Sequence, residues 1–241
     1  MRKGLSGDRI TTAVLSWVAG YVDTAGFLNL NGLFTAHVTG NLVVAGAEIA
    51  GARAEAAWVR LAVIPIFMIA VVLTTAISRN CQPRLSSFLW FEAATLLVFT
   101  IISVTLIPTS ERPVKAIAMF IAGSTGVFSM GVQNALMREA FGSLAPTTVM
   151  TGNLTQFTID FTWLTLLRDR QNNEAANKQV LEVKQRINKF SGALIGFIVG
   201  AAFGAFFTSR IGFWSILLPT IAVVFLALNA RHHEARSSKA G

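Results

Sequence analysis

Eight apolar runs fill most of the chain, and each is close to the ~20 residues that a helix needs to cross the hydrocarbon core of a bilayer. Only 13% of the residues are charged, against roughly 25% in an average soluble domain. The segments between the runs are too short for a separate soluble domain. The sequence therefore predicts an all-α membrane protein with a single transmembrane domain over residues 1–241. The runs span residues 10–30, 33–50, 58–78, 87–107, 114–137, 146–167, 190–208 and 213–229.

Lys and Arg are distributed unevenly around these runs. In a soluble protein the net charge of +8 would suggest nucleic acid as a partner, but the cytoplasmic loops of membrane proteins are rich in Lys and Arg. If all eight runs cross, 16 of the 20 Lys and Arg residues lie on the side that holds both termini. This bias predicts cytoplasmic N- and C-termini, with the lipid bilayer and not nucleic acid as the partner.

A polar motif occurs twice, at matching places along the chain. The tetrapeptide TGNL stands at 39–42 and again at 151–154, an offset of 112 residues. At the same offset Glu48 falls on Asp160, so each copy has an acid seven residues after its asparagine. At an offset one residue shorter, the segment GYVD, which ends at Asp23, aligns with the segment GVQN, which ends at Asn134. The pattern predicts two repeated halves, about 10–107 and 114–229.

Each copy of the motif combines three residues that weaken a helix. The glycine favours an unwound turn, the asparagine can cap the half-helix that follows, and the threonine can bond back to a carbonyl one turn earlier. We therefore expect a broken helix in each half. The residues concerned are Gly40 and Gly152 at the break, Asn41 and Asn153 as caps, and Thr39 and Thr151 before them.

The path of the two motif segments fixes the number of transmembrane helices, which the sequence places between six and eight. If both segments cross, the halves have four spans each and repeat in parallel; if both are re-entrant, three spans each give an inverted repeat. Charge does not decide, since the re-entrant version still places 15 Lys and Arg inside and five outside. Residues 146–167 would reach about 33 Å as a helix, which favours crossing but broken helices.

Polar side chains within the apolar runs predict a solute site between the two halves. Asp23 lies well inside the first run, and an ionisable group at that depth is functional by default. The alternative is a hydrogen-bonded carboxyl that holds the first helix to the Thr-Gly-Asn segment. The substrate-binding residues predicted from this pattern are Asp23, Thr39, Asn41, Asn134, Thr151 and Asn153.

Other titratable residues are candidates for proton or ion coupling together with Asp23. His37 lies one turn before the first motif asparagine and could relay protons, although a structural histidine is the alternative. Glu48 and Asp160 share a helix face with the motif asparagines, but each could instead pair with a nearby arginine, Arg53 or Arg168. Glu92, five residues into its run, is expected to reach the membrane interface.

A stripe of glycines in the seventh run predicts close helix packing. Gly192, Gly196, Gly200 and Gly204 follow one another at every fourth position, which lets another helix approach closely. Two glycines of this stripe also belong to a weaker correspondence between small residues of the two halves. It pairs Ala70, Thr74 and Ser78 with Gly200, Gly204 and Thr208.

The segments GYVDTAGF, HVTGN and GVQNA, with TTVMTGN downstream, resemble the YoaK-like family of bacterial membrane proteins, a domain family of unknown function. The resemblance extends over nearly the whole chain. It implies a multi-pass protein of the bacterial cytoplasmic membrane. It implies no activity, substrate or catalytic residue.

The duplicated polar motif favours a secondary transporter or permease for a small polar or cationic solute, with proton coupling as an option. Three acids near the motifs disfavour an anion. The alternatives are a channel and a non-transporting membrane scaffold. No paired metal-ligand spacing, nucleophile elbow or phosphate loop is present, so we expect no enzyme activity, cofactor or metal. A homo-oligomer is possible.

Overall fold

The computed structural model describes residues 5–51, 54–107, 114–141, 145–167 and 174–239, and nearly all of these residues are helical. Long apolar sequences form helices in a bilayer because a helix satisfies every backbone N–H and C=O within the segment. The helices are α1 (Leu5–Asn29), α2 (Gly40–Ala50), α3 (Ala54–Cys81), α4 (Leu85–Leu106), α5 (Val114–Phe141), α6 (Met150–Leu167), α7 (Glu174–Ile211) and α8 (Leu217–Lys239), with a short 3₁₀ helix (Gly212–Ile216) before α8.

The predicted all-α membrane fold is confirmed. Four stretches of described helix are long and apolar enough to cross a membrane, and the longest, Asn177–Arg236, contains most of α7 and α8. Large apolar side chains such as Val72, Ile101 and Ile198 are exposed along these helices. Such exposure is expected where lipid, which is itself apolar, covers the surface.

Helices α1 and α5, the first helix of each predicted half, run antiparallel. Near the start of α1, the Leu15 carbonyl accepts a 2.8 Å hydrogen bond from Nε2 of Gln133, near the end of α5. Just past the other end of α1, Nδ2 of Asn31 lies 3.5 Å from the sulfur of Met119, near the start of α5. The two helices therefore cross the molecule in opposite directions.

Each of these helices has a parallel partner from the other half. Along α1 and α7, the carbonyls of Ala13 and Tyr21 lie against Gly196 and Gly204 in the same order. Along α3 and α5, Trp58 packs against Phe120 near the starts of the helices, with ring centroids 5.4 Å apart. The ends of α3 and α5 are joined by an ion pair between Arg79 and Glu139.

Helices α4 and α8, the last of each half, pack antiparallel to one another. Ser86 at the start of α4 is hydrogen-bonded through its backbone N–H and its hydroxyl to the Glu234 carboxylate near the end of α8. Phe99, farther along α4, contacts Phe213 in the 3₁₀ helix before α8. Together with α1 and α5, these contacts give the two halves opposite orientations across the molecule.

The short helix α2 does not cross between opposite sides. Its 11 residues reach only about 17 Å. The guanidinium of Arg60, near the start of α3, binds the carbonyls of Asn31 and Gly32 just after α1, at 2.5 and 2.6 Å. The chain therefore leaves α1 and enters α3 on the same side. The length of residues 146–167 favoured a crossing path for both motif segments. For residues 33–50 that prediction is wrong, because the loop before α2 enters the molecule and α2 returns.

The motif segment of the second predicted half also returns to the side from which it enters. Helix α5 ends near the level where α1 begins. Helix α7, which runs parallel to α1, begins on the same side, beyond the start of α1. Residues 145–149 and α6 therefore connect two helix ends on one side. The described residues form six long helices and two re-entrant segments. The junction between the predicted halves, 108–113, lies outside the described residues.

Candidate functional site

The first re-entrant loop, residues 30–39, begins with a sharp reversal at the end of α1. Asn31 and Gly32 adopt left-handed backbone angles, with φ of 52° and 77°. The N–H of Gly32 bonds back to the Phe27 carbonyl, which closes the helix end. The chain then turns back along α1 until Thr35 and the residues after it reach the level of Asp23.

The carboxylate of Asp23 organises this loop. Its Oδ1 accepts hydrogen bonds from the backbone N–H groups of Thr35, Ala36 and His37, at 2.8, 2.7 and 3.3 Å. Its Oδ2 lies 2.7 Å from Nδ1 of His37. Asp23 is buried, so these donors replace the water that an ionised carboxylate would otherwise need. These contacts hold the loop to α1. They fit the alternative to a functional role given above, in which the Asp23 carboxyl holds the first helix to the Thr-Gly-Asn segment.

The motif asparagine Asn41 closes the same loop from the other end. Its Oδ1 accepts the backbone N–H of Phe34 at 2.9 Å, and its Nδ2 donates to the Phe34 carbonyl at 2.8 Å. The ring of Phe34 also packs against Gly40. The expected cap is therefore wrong in detail: Thr39 is the N-cap residue and makes no side-chain cap bond, while Asn41 pairs with the backbone seven residues earlier.

The second re-entrant loop, residues 145–149, has a related but sparser set of contacts. The Asn134 Oδ1 accepts a 2.6 Å hydrogen bond from the Thr148 hydroxyl. The Asn153 Nδ2 donates to the Pro146 carbonyl at 2.6 Å. Because proline has no N–H, the second bond that Asn41 makes in the first loop has no equivalent at Pro146. Asn134 and Asn153 therefore hold this loop as Asp23 and Asn41 hold the first.

The helix break falls before the motif and not inside it. Helix α2 begins at Gly40 and α6 begins at Met150, so each Thr-Gly-Asn step lies at the first turn of a helix. Thr39, Thr151 and Gly152 are exposed on the surface of the described structure. The two threonines therefore do not line an internal site, contrary to the prediction.

Both acids that follow the motif are ion-paired. The Glu48 carboxylate on α2 accepts a 2.8 Å hydrogen bond from Nε of Arg60, and both side chains are nearly buried. The Asp160 carboxylate on α6 binds Nε and Nη2 of Arg186 on α7, each at about 3 Å to Oδ1. The suggested partners, Arg53 and Arg168, lie outside the described residues. Each half-helix is thus tied to the long helix that follows it.

The predicted solute site is divided into two groups on opposite sides of the molecular centre. Leu15 is level with Gln133, and Asp23 lies eight residues farther along α1, about 12 Å by helical rise. Asn134 directly follows Gln133. The first loop with Asp23 and the second loop with Asn134 therefore do not meet in one cluster.

One cavity has no residue of either re-entrant loop in its wall. It has a volume of about 440 Å³ and an almost wholly apolar wall. Among the described residues, no group of His, Cys, Asp and Glu side chains is arranged to hold a metal ion. The cavity lies between α3, α4 and α5 and is lined by Ile66, Phe91, Ala94, Thr95, Val98, Ser124, Thr125 and Phe128.

The glycine stripe on α7 packs as predicted at three of its four positions. A Cβ atom on Gly196, Gly200 or Gly204 would collide with backbone atoms of α1. At Gly192 an added Cβ would meet nothing within 4 Å, so the prediction is wrong at that position. The three tight positions place α1 and α7 in backbone contact.

Glu92 is the residue that sequence reasoning misplaced most clearly. Its side chain is completely buried in α4 and does not reach the interface. Neither carboxyl oxygen has a hydrogen-bond partner within the described structure. A lone acid in a strongly apolar run was the available signal, and such residues mark functional sites in membranes.

A family model described as "Protein of unknown function (DUF1275)" matches residues 11–229. The chain belongs to this family. No curated protein and no solved structure matches the chain. The DUF1275 match spans α1 to most of α8, and thus includes both re-entrant loops.

Proposed function

We propose that this DUF1275 protein is a secondary transporter of a small polar or cationic solute, and that its two halves form an inverted repeat. One observation carries the proposal: antiparallel helices α1 and α5 are each followed by a re-entrant loop and a half-helix held by an asparagine. Inverted repeats with discontinuous helices are a recurring architecture of secondary transporters.

A matching contact between long helices supports the repeat. A Cβ on Gly20 of α1 would meet the carbonyl of Phe197 on α7, and a Cβ on Gly131 of α5 would meet the carbonyl of Phe67 on α3. Phe67 and Phe197 are 130 residues apart, the same offset that relates Ala70 to Gly200. The same helix crossing thus occurs twice, once between α1 and α7 and once between α5 and α3.

In this proposal the two loops act as gates on opposite sides of the membrane centre. Each gate is closed by one polar residue of a long helix and one asparagine of a half-helix. Opening the first gate would free the Asp23 carboxylate and the His37 ring, which is one-third exposed already. A carboxylate freed in this way favours a cationic or hydrogen-bond-donating solute over an anion.

We also propose an orientation of the chain in the membrane and the type of membrane that holds it. With six crossings, 15 Lys and Arg lie on the side of both termini and five on the other, so the positive-inside rule favours cytoplasmic termini. The first loop would then open outward and the second toward the cytoplasm. The resemblance to YoaK-like proteins supports the bacterial cytoplasmic membrane as the location.

A non-transporting scaffold is the second candidate, and a specific observation favours it. Asn41 and Asn153 donate their amide hydrogens to backbone of their own loops, as residues that only shape a fold would do. A scaffold needs no movement of these loops, whereas a transporter must open them in turn. Flux measurements therefore separate the two.

The test uses the full-length protein in proteoliposomes loaded with the pH dye pyranine. A panel of small organic cations, amino acids and polyols is added outside, and tracer uptake and internal pH are recorded. Transport predicts saturable uptake of at least one solute, lost in Asp23→Asn and retained in Thr39→Ala, whose side chain is exposed. Uptake that never saturates would indicate a channel, and no uptake of any solute would indicate a scaffold; either result contradicts the proposal.

A further inference from the structure

Glu92 is a fully buried carboxyl group with no partner. Its exposed fraction is 0%, and both of its carboxyl oxygens are without a hydrogen bond in the described structure. Asp23, Glu48 and Asp160, by contrast, all have donors or an arginine at their oxygens. Glu92 is therefore the exception among the acids in the apolar part of the molecule.

No opposite charge faces Glu92 from the elements that pack on α4. These elements are α5, α8 and the 3₁₀ helix before α8. Residues 116–137 of α5 and residues 212–230 of the 3₁₀ helix and α8 contain no Asp, Glu, Lys, Arg or His. Along α4 itself, residues 85–106, Glu92 is the only charged residue. The charged residues of α5 lie at its two ends. On α8 the titratable residues begin at Arg231, and the side chains of Arg231, His232 and His233 are exposed.

An unpaired acceptor lies at the same level as Glu92 on the neighbouring helix. The Thr95 hydroxyl donates to the Ser129 hydroxyl oxygen at 2.9 Å, which sets the register between antiparallel α4 and α5. Glu92 lies one turn before Thr95, and Gln133 lies one turn after Ser129. Because α4 and α5 are antiparallel, both residues are displaced toward the same end of the helix pair. Gln133 is fully buried, and its Oε1 has no hydrogen-bond partner in the described structure.

An ionised carboxylate in this position would have neither a countercharge nor hydrogen-bond donors. Taking an isolated carboxylate out of water costs so much that the group takes up a proton instead. A protonated carboxyl then has one O–H to donate and needs an acceptor. The unpaired Oε1 of Gln133, on the neighbouring helix at the same level, is the candidate acceptor.

We propose that Glu92 and Gln133 form a buried proton-binding site within the membrane domain. The Glu92 carboxylate takes up one proton, and the resulting O–H is directed to the amide oxygen of Gln133. This assignment makes Glu92, and not Asp23, the group that carries protons. Its role in coupling rests on the proposed transport function, whereas proton binding itself does not.

Gln133 links this site to the second re-entrant loop. Its Nε2 donates to the Leu15 carbonyl at 2.8 Å and to the Thr147 hydroxyl at 3.0 Å. Thr147 belongs to that loop and is buried. When Glu92 loses its proton, the carboxylate no longer donates to Gln133 and repels its amide oxygen. Deprotonation therefore destabilises the Gln133 orientation that holds the loop. Proton release is in this way coupled to loop opening.

The test is infrared spectroscopy of the full-length protein in lipid vesicles, which detects the C=O stretching band of a protonated carboxyl. The wild type is expected to show this band at neutral pH, Glu92→Gln to lose it, and Glu92→Asp to retain it at a shifted position. Asp160→Asn is the matched control, since an acid ion-paired with Arg186 contributes no such band. Gln133→Leu should shift the Glu92 band to the position of a free carboxyl.

A second readout is labelling by dicyclohexylcarbodiimide, which modifies protonated carboxyls in apolar surroundings and is located by mass spectrometry. Labelling of Glu92 should fall as the pH rises and should be absent in Glu92→Gln. The proposal is overturned if the band in the wild type survives Glu92→Gln unchanged, or if folded wild type is never labelled at Glu92. Neither readout requires flux, so a protein that transports nothing would contradict the proposed function while leaving this test valid.

Discussion

The carboxylate of Asp23 on α1 lies 2.7 Å from Nδ1 of His37 in the first re-entrant loop, and its other oxygen accepts backbone N–H groups from that loop. A single acid thus fixes the position of a non-helical segment within the membrane domain. Backbone N–H groups in a membrane must be satisfied by the protein itself. The loop consequently depends on Asp23 for its conformation.

Replacing Asp23 by Ala should destabilise the protein strongly, and Asp23→Asn should do so less. Each buried N–H that loses its acceptor costs about 1–3 kcal/mol, and Asp23 serves the N–H groups of Thr35 and Ala36 at short distance. Asparagine retains one acceptor oxygen for them. Thermal unfolding in detergent should rank wild type above Asp23→Asn and both above Asp23→Ala. Equal stability of the two variants would contradict the loop-holding role.

The two motif asparagines should differ in their contribution to stability. Asn41→Ala removes two hydrogen bonds to Phe34, whereas Asn153→Ala removes the single short bond to the Pro146 carbonyl. We expect Asn41→Ala to lower the free energy of unfolding more, by about 1 kcal/mol, the usual worth of one hydrogen bond. Equilibrium unfolding in mixed micelles measures both. A larger loss for Asn153→Ala would be inconsistent with these contacts.

Substitution along the glycine stripe should have opposite outcomes at two positions of one helix. In Gly200→Ala the new methyl group would collide with the backbone carbonyl of Trp17, so α1 and α7 must separate. In Gly192→Ala the methyl group meets nothing within 4 Å, and alanine favours the helix by up to ~1 kcal/mol. Thermal unfolding should show a marked loss for Gly200→Ala and no loss for Gly192→Ala. Similar values for both would argue against the packing of α1 on α7.

The ion pair between Glu48 and Arg60 should matter far more than the one between Arg79 and Glu139. Arg60 is nearly buried and also binds the carbonyls of Asn31 and Gly32, whereas the Arg79 side chain is 72% exposed. Removing one partner of a buried pair costs about 3–5 kcal/mol. A surface pair contributes about 0–1 kcal/mol. Unfolding of Arg60→Ala and Arg79→Ala should reproduce this order, and comparable losses would count against it.

Composition and the lengths of the apolar runs were sufficient to predict the fold class, because a long apolar run in a bilayer satisfies its backbone hydrogen bonds as a helix. The paired motif also located Asp23, Asn41 and Asn153 correctly as buried polar residues, while Asn134 is half-buried. Their spacing could not reveal the partners, since Phe34 and Pro146 contribute only backbone atoms. Backbone partners have no side-chain signature in a sequence.

The sequence also could not show whether the two motif segments cross the membrane or turn back. Lys and Arg counts were nearly equal for crossing and re-entrant paths, and residues 146–167 were long enough for either. What decides the path is tertiary: Arg60 joins the end of α1 to the start of α3. The depth of Glu92 was missed for a related reason, because its position near the start of a run says little about which neighbours cover it.

The most direct test of the inverted arrangement is the accessibility of one cysteine after each re-entrant segment. In a Cys81→Ser background, Gly51→Cys and Asn177→Cys are treated with a membrane-impermeant maleimide in intact and in permeabilised cells. Both positions are exposed, Gly51 directly after α2 and Asn177 near the start of α7. Inverted halves predict opposite sides, with Gly51→Cys labelled in intact cells and Asn177→Cys only after permeabilisation. Labelling of both from the same side would contradict the arrangement.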